Sequence, residues 1–90
     1  MDIAERAKTY AALSDPLRLR ILDHLRAEGE ACGKELAARL EVSVALVSHH
    51  TKILEDAGLI LRRREGQFSR FSFISARLEA LDAACRGCAG

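Results

Sequence analysis

The chain has 90 residues, 49% of them apolar and 30% charged, a balance that excludes a disordered or low-complexity polypeptide. Fourteen Lys and Arg against 13 Asp and Glu leave a net charge of +1, so no broad electrostatic pull on nucleic acid is expected. No apolar stretch approaches the ~20 residues of a membrane span, and the opening MDIAERAKTY lacks a secretory pattern. One cytoplasmic domain over residues 1–90 is therefore expected. A chain this short buries only about 60–65% of its unfolded surface, and a second copy is a common remedy.

Residues 3–12 put Ile3, Ala7, Tyr10 and Ala11 on one helical stripe. Ser14-Asp15-Pro16 then supplies a capping residue and a proline at the first helical position. Over 17–27, Leu17, Ile21, Leu22 and Leu25 turn inward while Arg18, Arg20 and Arg26 turn mostly outward. Glu28-Gly29-Glu30 ends that helix. A short third helix runs from Cys32 or Gly33 to Leu40, and Cys32 stands in the Ser/Thr place of a capping box closed by Glu35. Glu41-Val42-Ser43 is a tight turn, and a left-handed Glu41 there costs about 1 kcal/mol.

Ser43 caps a fourth helix in which Val47, Thr51, Leu54 and Gly58 recur on one stripe, with Gly58 as the stop. The other stripe carries Ser43, Ser48, His49 and Lys52, with no carboxylate before Glu55. A donor-rich, acid-free start suits a DNA major groove, although an ordinary amphipathic surface helix has the same pattern. Residues 33–58 thus form a helix-turn-helix, whose second member enters the groove.

After Gly58 the period changes to 2, and runs over 59–64 and 67–74 meet at Glu65-Gly66 as a β-hairpin. The first 41 residues hold eight acids and seven bases, whereas residues 62–70 hold four Arg against Glu65. A hairpin over 59–74 with Arg62, Arg63, Arg64, Gln67 and Arg70 near its tip reads as a wing that reaches phosphates or the minor groove. Leu78, Leu81 and Cys85 then line a final helix. With the first helix it forms a dimer face, segments 1–13 and 75–90. The expected architecture is α+β, mainly α with a small β-hairpin, in the order ααααββα.

These segments resemble the ArsR/SmtB family of bacterial winged-helix repressors: ALSDPLRLRIL (12–22), KELAARLEVS (34–43), VSHHTKILEDAGLI (47–60) and RRREG (62–66). The resemblance spans about residues 8–74. It implies a homodimeric repressor that binds an inverted-repeat operator in double-stranded DNA and leaves it when an inducer arrives. The chain departs from the family at several positions. Val44-Ala45 replaces a common Gln-Ser, which implies apolar readout of thymine methyls alongside Ser48, His49 and Lys52. Thr51 stands where Leu is usual. Cys32-Gly33-Lys34 replaces the Cys-Val-Cys of metal-sensing members, and the last helix has no His, so no metal cofactor of that kind is expected.

The inducer is read from three cysteines, 32, 85 and 88. Cys32, at a helix start with Lys34 beside it, is placed to form a nucleophilic thiolate. Cys85 and Cys88 lie three apart, within disulfide reach on a helical turn. Cys32 with Cys85 resembles the layout of family members that sense peroxide or reactive sulfur. Three thiols also match members that bind As(III). Inert cysteines account for the residues as well, because free Cys is a common core residue.

An enzyme is not expected. Cys85-Arg86-Gly87-Cys88 closes the chain instead of opening a helix after a strand, and His24, His49 and His50 form no triad. The remaining rival is a winged helix used for protein contacts.

Overall fold

A computed structural model describes residues 1–88, with side chains described through Arg86. In chain order the elements are α1 (Ile3–Leu13), α2 (Pro16–Glu28), β1 (Ala31–Cys32), α3 (Gly33–Leu40), α4 (Val44–Asp56), β2 (Ile60–Glu65), β3 (Phe68–Phe73) and α5 (Ala76–Cys88). The order expected from sequence lacks one of these, β1, which joins the hairpin in an antiparallel sheet of order β1-β3-β2. Ala31 pairs with Phe71 and Cys32 with Arg70. Two residues are too few to show a period, so only their partner on β3 defines them as a strand.

Helix boundaries follow capping chemistry. Asp2 accepts the Glu5 N–H to start α1, and Asp15 accepts the Arg18 N–H to start α2, with Pro16 in the first turn. The α3–α4 turn is closed by the Val42 N–H, which donates to the Ala37 carbonyl at 3.0 Å while Glu41 sits left-handed at φ 57°. Ser43 Oγ accepts the Leu46 N–H, and α4 then runs to Asp56. Gly58, at φ 77°, ends that turn, and the Leu59 N–H donates back to Leu54. A side chain at Gly58 would also strike the Arg77 guanidinium, since a Cβ there falls 2.9 Å from Nε. Gly66 at φ 64° opens the two-residue hairpin loop, where a II′ turn needs a residue without Cβ.

The core gathers Ile21, Leu22 and Leu25 of α2, Leu36 and Leu40 of α3, Val47 and Leu54 of α4, Leu59, and Ile60 and Phe71 of the sheet. This cluster clamps α4 from behind. Thr51, buried in the same stripe, gives its hydroxyl to the Val47 carbonyl at 2.9 Å, so burial leaves no unsatisfied donor.

The first helix carries its expected stripe, and it also has an inner face that the sequence reading did not name. Thr9 and Ala12 face the core, while Ile3 is 75% exposed and Tyr10 45% exposed. Thr9 can be buried because its hydroxyl donates to the Glu5 carbonyl at 2.8 Å. The stripe of Ile3, Ala7, Tyr10 and Ala11 therefore points outward within one copy. α5 packs beside α1, with Leu81 buried and an Arg77–Glu5 ion pair at 2.9 Å. Among the described residues no helix is long and apolar enough to cross a membrane.

Candidate nucleic-acid interface

The core on one side of α4 dictates what the other side shows. Val47, Thr51 and Leu54 are buried, which turns Ser43, Val44, Ala45, Ser48, His49 and Lys52 to solvent. Val44 is half exposed, an apolar surface at the very start of the helix. Carboxylates enter only at Glu55 and Asp56, in the last turn, so the N-terminal two-thirds of this face is free of acid.

His50 does not share that face. It is half-buried, its Nδ1 3.0 Å from Nη1 of Arg18 and 3.9 Å from Oδ2 of Asp15. Burial, with the Arg18 and His49 charges, holds its proton affinity below that of an ordinary histidine, against the pull of Asp15. Asp15 is itself kept below the usual carboxylate range, chiefly by the Arg18 N–H and then by His50 and the Arg18 charge. Arg18, expected to turn outward, instead reaches back to the Ala12 and Ala11 carbonyls at 2.7 and 3.1 Å. A period argument could not find this, because a long flexible side chain need not follow its Cα.

The wing holds its arginines in a different way. Antiparallel register places Arg62 opposite Phe71, Arg63 opposite Arg70 and Arg64 opposite Ser69. Alternation therefore sends Arg62 and Arg64 to the Phe71 face, and Arg63 and Arg70 to the opposite one. Arg62 meets Glu55 of α4 at 3.5 Å. Arg63 donates to both carboxylate oxygens of Glu30, at 2.6 and 3.1 Å, and also approaches Glu65 at 3.4 Å. The Glu30 carboxylate raises the already high proton affinity of Arg63. Arg70 lies 3.7 Å from both Glu30 and Glu35. Arg64 and Lys52 form no ion pair among the described residues.

The local basic patch of residues 62–70 is thus less free than its sequence suggests. Three of its four arginines are already matched by carboxylates from outside the hairpin. Glu30 and Glu35 are distant in sequence from the wing and reach it through the sheet register, while Glu55, seven residues before Arg62, reaches it through the packing of β2 on α4. Between α4 and the wing runs an open cleft lined by Cys32, Val44, Ser48, Arg62, Gln67 and Phe68, among others.

The comparisons with known proteins bear on this helix-turn-helix and the hairpin that follows it. A family model described as bacterial regulatory protein, arsR family, matches residues 15–61. An arsenical resistance operon repressor of Staphylococcus xylosus is 32% identical over 99% of the chain and 91% of that protein. The chain belongs to the arsR family. A cadmium resistance regulatory protein CadC homolog of Staphylococcus aureus is 36% identical over 90% of this arsR-family chain, which spans 64% of that relative's length. A solution structure of a homodimeric winged helix-turn-helix DNA-binding domain from Mycobacterium bovis superposes with a TM-score of 0.78 at 28% identity. That match covers 97% of this chain and 80% of the other. The relatives and the fold are those of transcriptional regulators rather than enzymes.

The arsR-family cysteines stand in two places. Cys32 caps α3 by its backbone only; its thiol donates toward Glu35 Oε1 at 3.5 Å. The capping box read from the sequence is therefore incomplete, since sulfur is a weak acceptor and the Glu35 carboxylate claims the proton. Lys34, expected to support a Cys32 thiolate, instead lies over the Phe68 ring at 5.4 Å. Cys85 is exposed on α5, its Sγ 2.7 Å from the Tyr10 hydroxyl, a contact that raises the proton affinity of that phenol. Both thiols are free, and one chain gives them separate neighbours. Cys88 closes α5, and its side chain lies outside the described residues. Among the described residues no three His, Cys, Asp or Glu are grouped to hold a metal ion.

Proposed function

We propose that the chain is a homodimeric repressor that binds an inverted-repeat operator in double-stranded DNA and leaves it when its cysteines are oxidised or persulfidated. The acid-free face that the start of α4 turns to solvent carries this reading. Within the helix-turn-helix, residues 33–58, Ser43, Ser48 and His49 offer hydrogen bonds to base edges, and Val44 and Ala45 offer apolar contact with thymine methyls. Lys52 reaches phosphate. The wing, residues 59–74, adds Arg62, Arg63, Arg64, Gln67 and Arg70 to the neighbouring backbone or minor groove. Segments 1–13 and 75–90 join two copies. The outward Ile3 and Tyr10 support that assignment, as apolar surface that one copy leaves uncovered.

The thiol half of the proposal rests on Cys32 and Cys85, with Cys88 as a further candidate. Two thiols give up two electrons and two protons to hydrogen peroxide, which leaves as two waters while one S–S bond forms. Because Cys32 adjoins the wing and Cys85 adjoins α1, that bond moves α5 against the wing or runs between copies. Either outcome changes the spacing of the two reading helices, which must match half-sites about one DNA turn apart.

Electrophoretic mobility shift on DNA upstream of the protein's own gene tests both halves. Reduced protein is expected to retard that DNA, and peroxide or polysulfide treatment to release it. Release by peroxide that is unchanged in Cys32→Ser removes Cys32 from the mechanism. Release by arsenite, with a sulfur-to-arsenic absorption band, assigns Cys32, Cys85 and Cys88 to As(III) instead. Retention of a protein partner with no DNA retarded makes the chain an interaction module.

A further inference from the structure

An arginine side chain carries five N–H donors and no acceptor, so every close polar neighbour of its guanidinium must accept. Arg18 donates from Nε to the Ala12 carbonyl at 2.7 Å and from Nη2 to the Ala11 carbonyl at 3.1 Å. Both carbonyls belong to the last turn of α1, where helix geometry leaves acceptors without intrahelical partners. Its Nη1 is 3.0 Å from His50 Nδ1. That nitrogen must therefore present its lone pair, which makes the ring neutral with its proton on Nε2. One guanidinium thus ties the end of α1 to the middle of α4.

The groups facing His50 are few. Asp15, at the start of α2, stands 3.9 Å from Nδ1, but its carboxylate already accepts the Arg18 N–H. From α4 itself comes His49, its ring centroid 5.1 Å away and edge-on. α1 contributes the carbonyls that Arg18 uses. A proton on Nδ1 turns the acceptor into a donor and sets an imidazolium against a guanidinium; the acceptor left within reach is Asp15. Burial and the Arg18 guanidinium favour the neutral ring, so the tie is intact near pH 7 and acid opens it.

We propose that Arg18 and His50 form a positioning pair that fixes the reading helix to the end of α1, and that protonation of His50 releases it, weakening operator binding in acid. The inference rests on the repressor reading above. In a dimer joined through α1, the pair sets the angle of α4 relative to the two-fold axis without touching DNA itself.

The probe is a duplex selected by the wild-type protein from a random-sequence pool at pH 8, with affinity then measured at pH 8 and pH 6. Wild type is expected to lose up to about fourfold, the most that one proton can remove at pH 6 from a group with less proton affinity than an ordinary histidine. His50→Gln keeps an amide oxygen for Arg18 and does not titrate, so it is expected to bind at both pH values with a flat profile. Arg18→Met is expected to be weak at both. His49→Gln is expected to keep the wild-type loss whatever its starting affinity, which separates titration behind the helix from titration on its outer face. A flat wild-type profile, or a His50→Gln profile as steep as wild type, overturns the proposal.

Imidazole nitrogen NMR of the free protein reads the pair without DNA. His50 Nδ1 is expected to be unprotonated at pH 7, with its titration moved toward that of ordinary histidine in Arg18→Met. A proton on Nδ1, or a titration indifferent to Arg18→Met, overturns the pair even where DNA binding stands. A pool that yields no duplex sinks the repressor reading, and the NMR result still decides whether the pair exists.

Discussion

Lys52 on α4 stands without a carboxylate partner among the described residues, whereas Arg63 on β2 shares Glu30 with Arg70 and also touches Glu65. Both are exposed cations on elements assigned to DNA, yet the helix offers its charge directly and the wing must first exchange partners. Exposed ion pairs are worth roughly 0–1 kcal/mol, so the exchange is cheap but not free. The helix is also the better anchored of the two. Val47, Thr51 and Leu54 fix it against the core, while β2 buries only Ile60 and leaves its other five residues exposed. Under the proposed function, such a division would make α4 the rigid reader and the wing an adjustable, salt-sensitive support.

The sharpest way to break this comparison is to remove what anchors each element. Leu54→Ala, behind α4, is expected to cost about 2–5 kcal/mol in denaturant unfolding. Leu61→Ala, on the exposed wing strand, is expected to stay within about 0.5 kcal/mol of wild type. Equal losses would contradict the contrast in anchoring. Next in size, Lys52→Ala is expected to weaken operator binding about tenfold and to lower the salt slope by about one. Glu41→Gly relieves the left-handed turn that leads into α4, and is expected to raise stability by up to about 1 kcal/mol, read as a higher denaturant midpoint. The smallest effect divides the wing itself. Arg64→Ala is expected to weaken binding about threefold, the scale of one exposed phosphate contact, and Arg63→Ala less than that because Glu30 already holds it. Glu30→Gln, which leaves Arg63 only Glu65 and Arg70 only Glu35, is expected to strengthen binding; a loss of binding would make the Glu30 pairs part of the DNA-competent wing.

Most of the architecture was readable in the chain because its signals are local. Asp15-Pro16, Ser43 and Gly58 cap helices by bonds that span three to five residues, and the switch from period 3.6 to 2 after Gly58 marks the hairpin. The sequence posed only the cost of a left-handed Glu41, and the residue is left-handed, at φ 57°. What stayed hidden is whatever depends on distant partners. β1 exists only through its pairing with β3, and the carboxylates that hold the wing arginines come from β1's approach, α3 and α4. The inner face of α1 was not named from the sequence either. Its apolar stripe is weak, and Thr9, satisfied by its own helix, goes inside in place of Ile3 and Tyr10. Cys32 shows the same limit, since Lys34 is near it in sequence but is drawn to Phe68 in space.

The most direct test of the account is an amide NMR titration of the reduced protein with the selected operator duplex. The expected result is a set of shifts concentrated at residues 43–52 and 62–70, with α1 and α5 quiet. Shifts confined to α1 and α5, or none at all at saturating duplex, would contradict the claim that the reading helix and the wing together hold DNA.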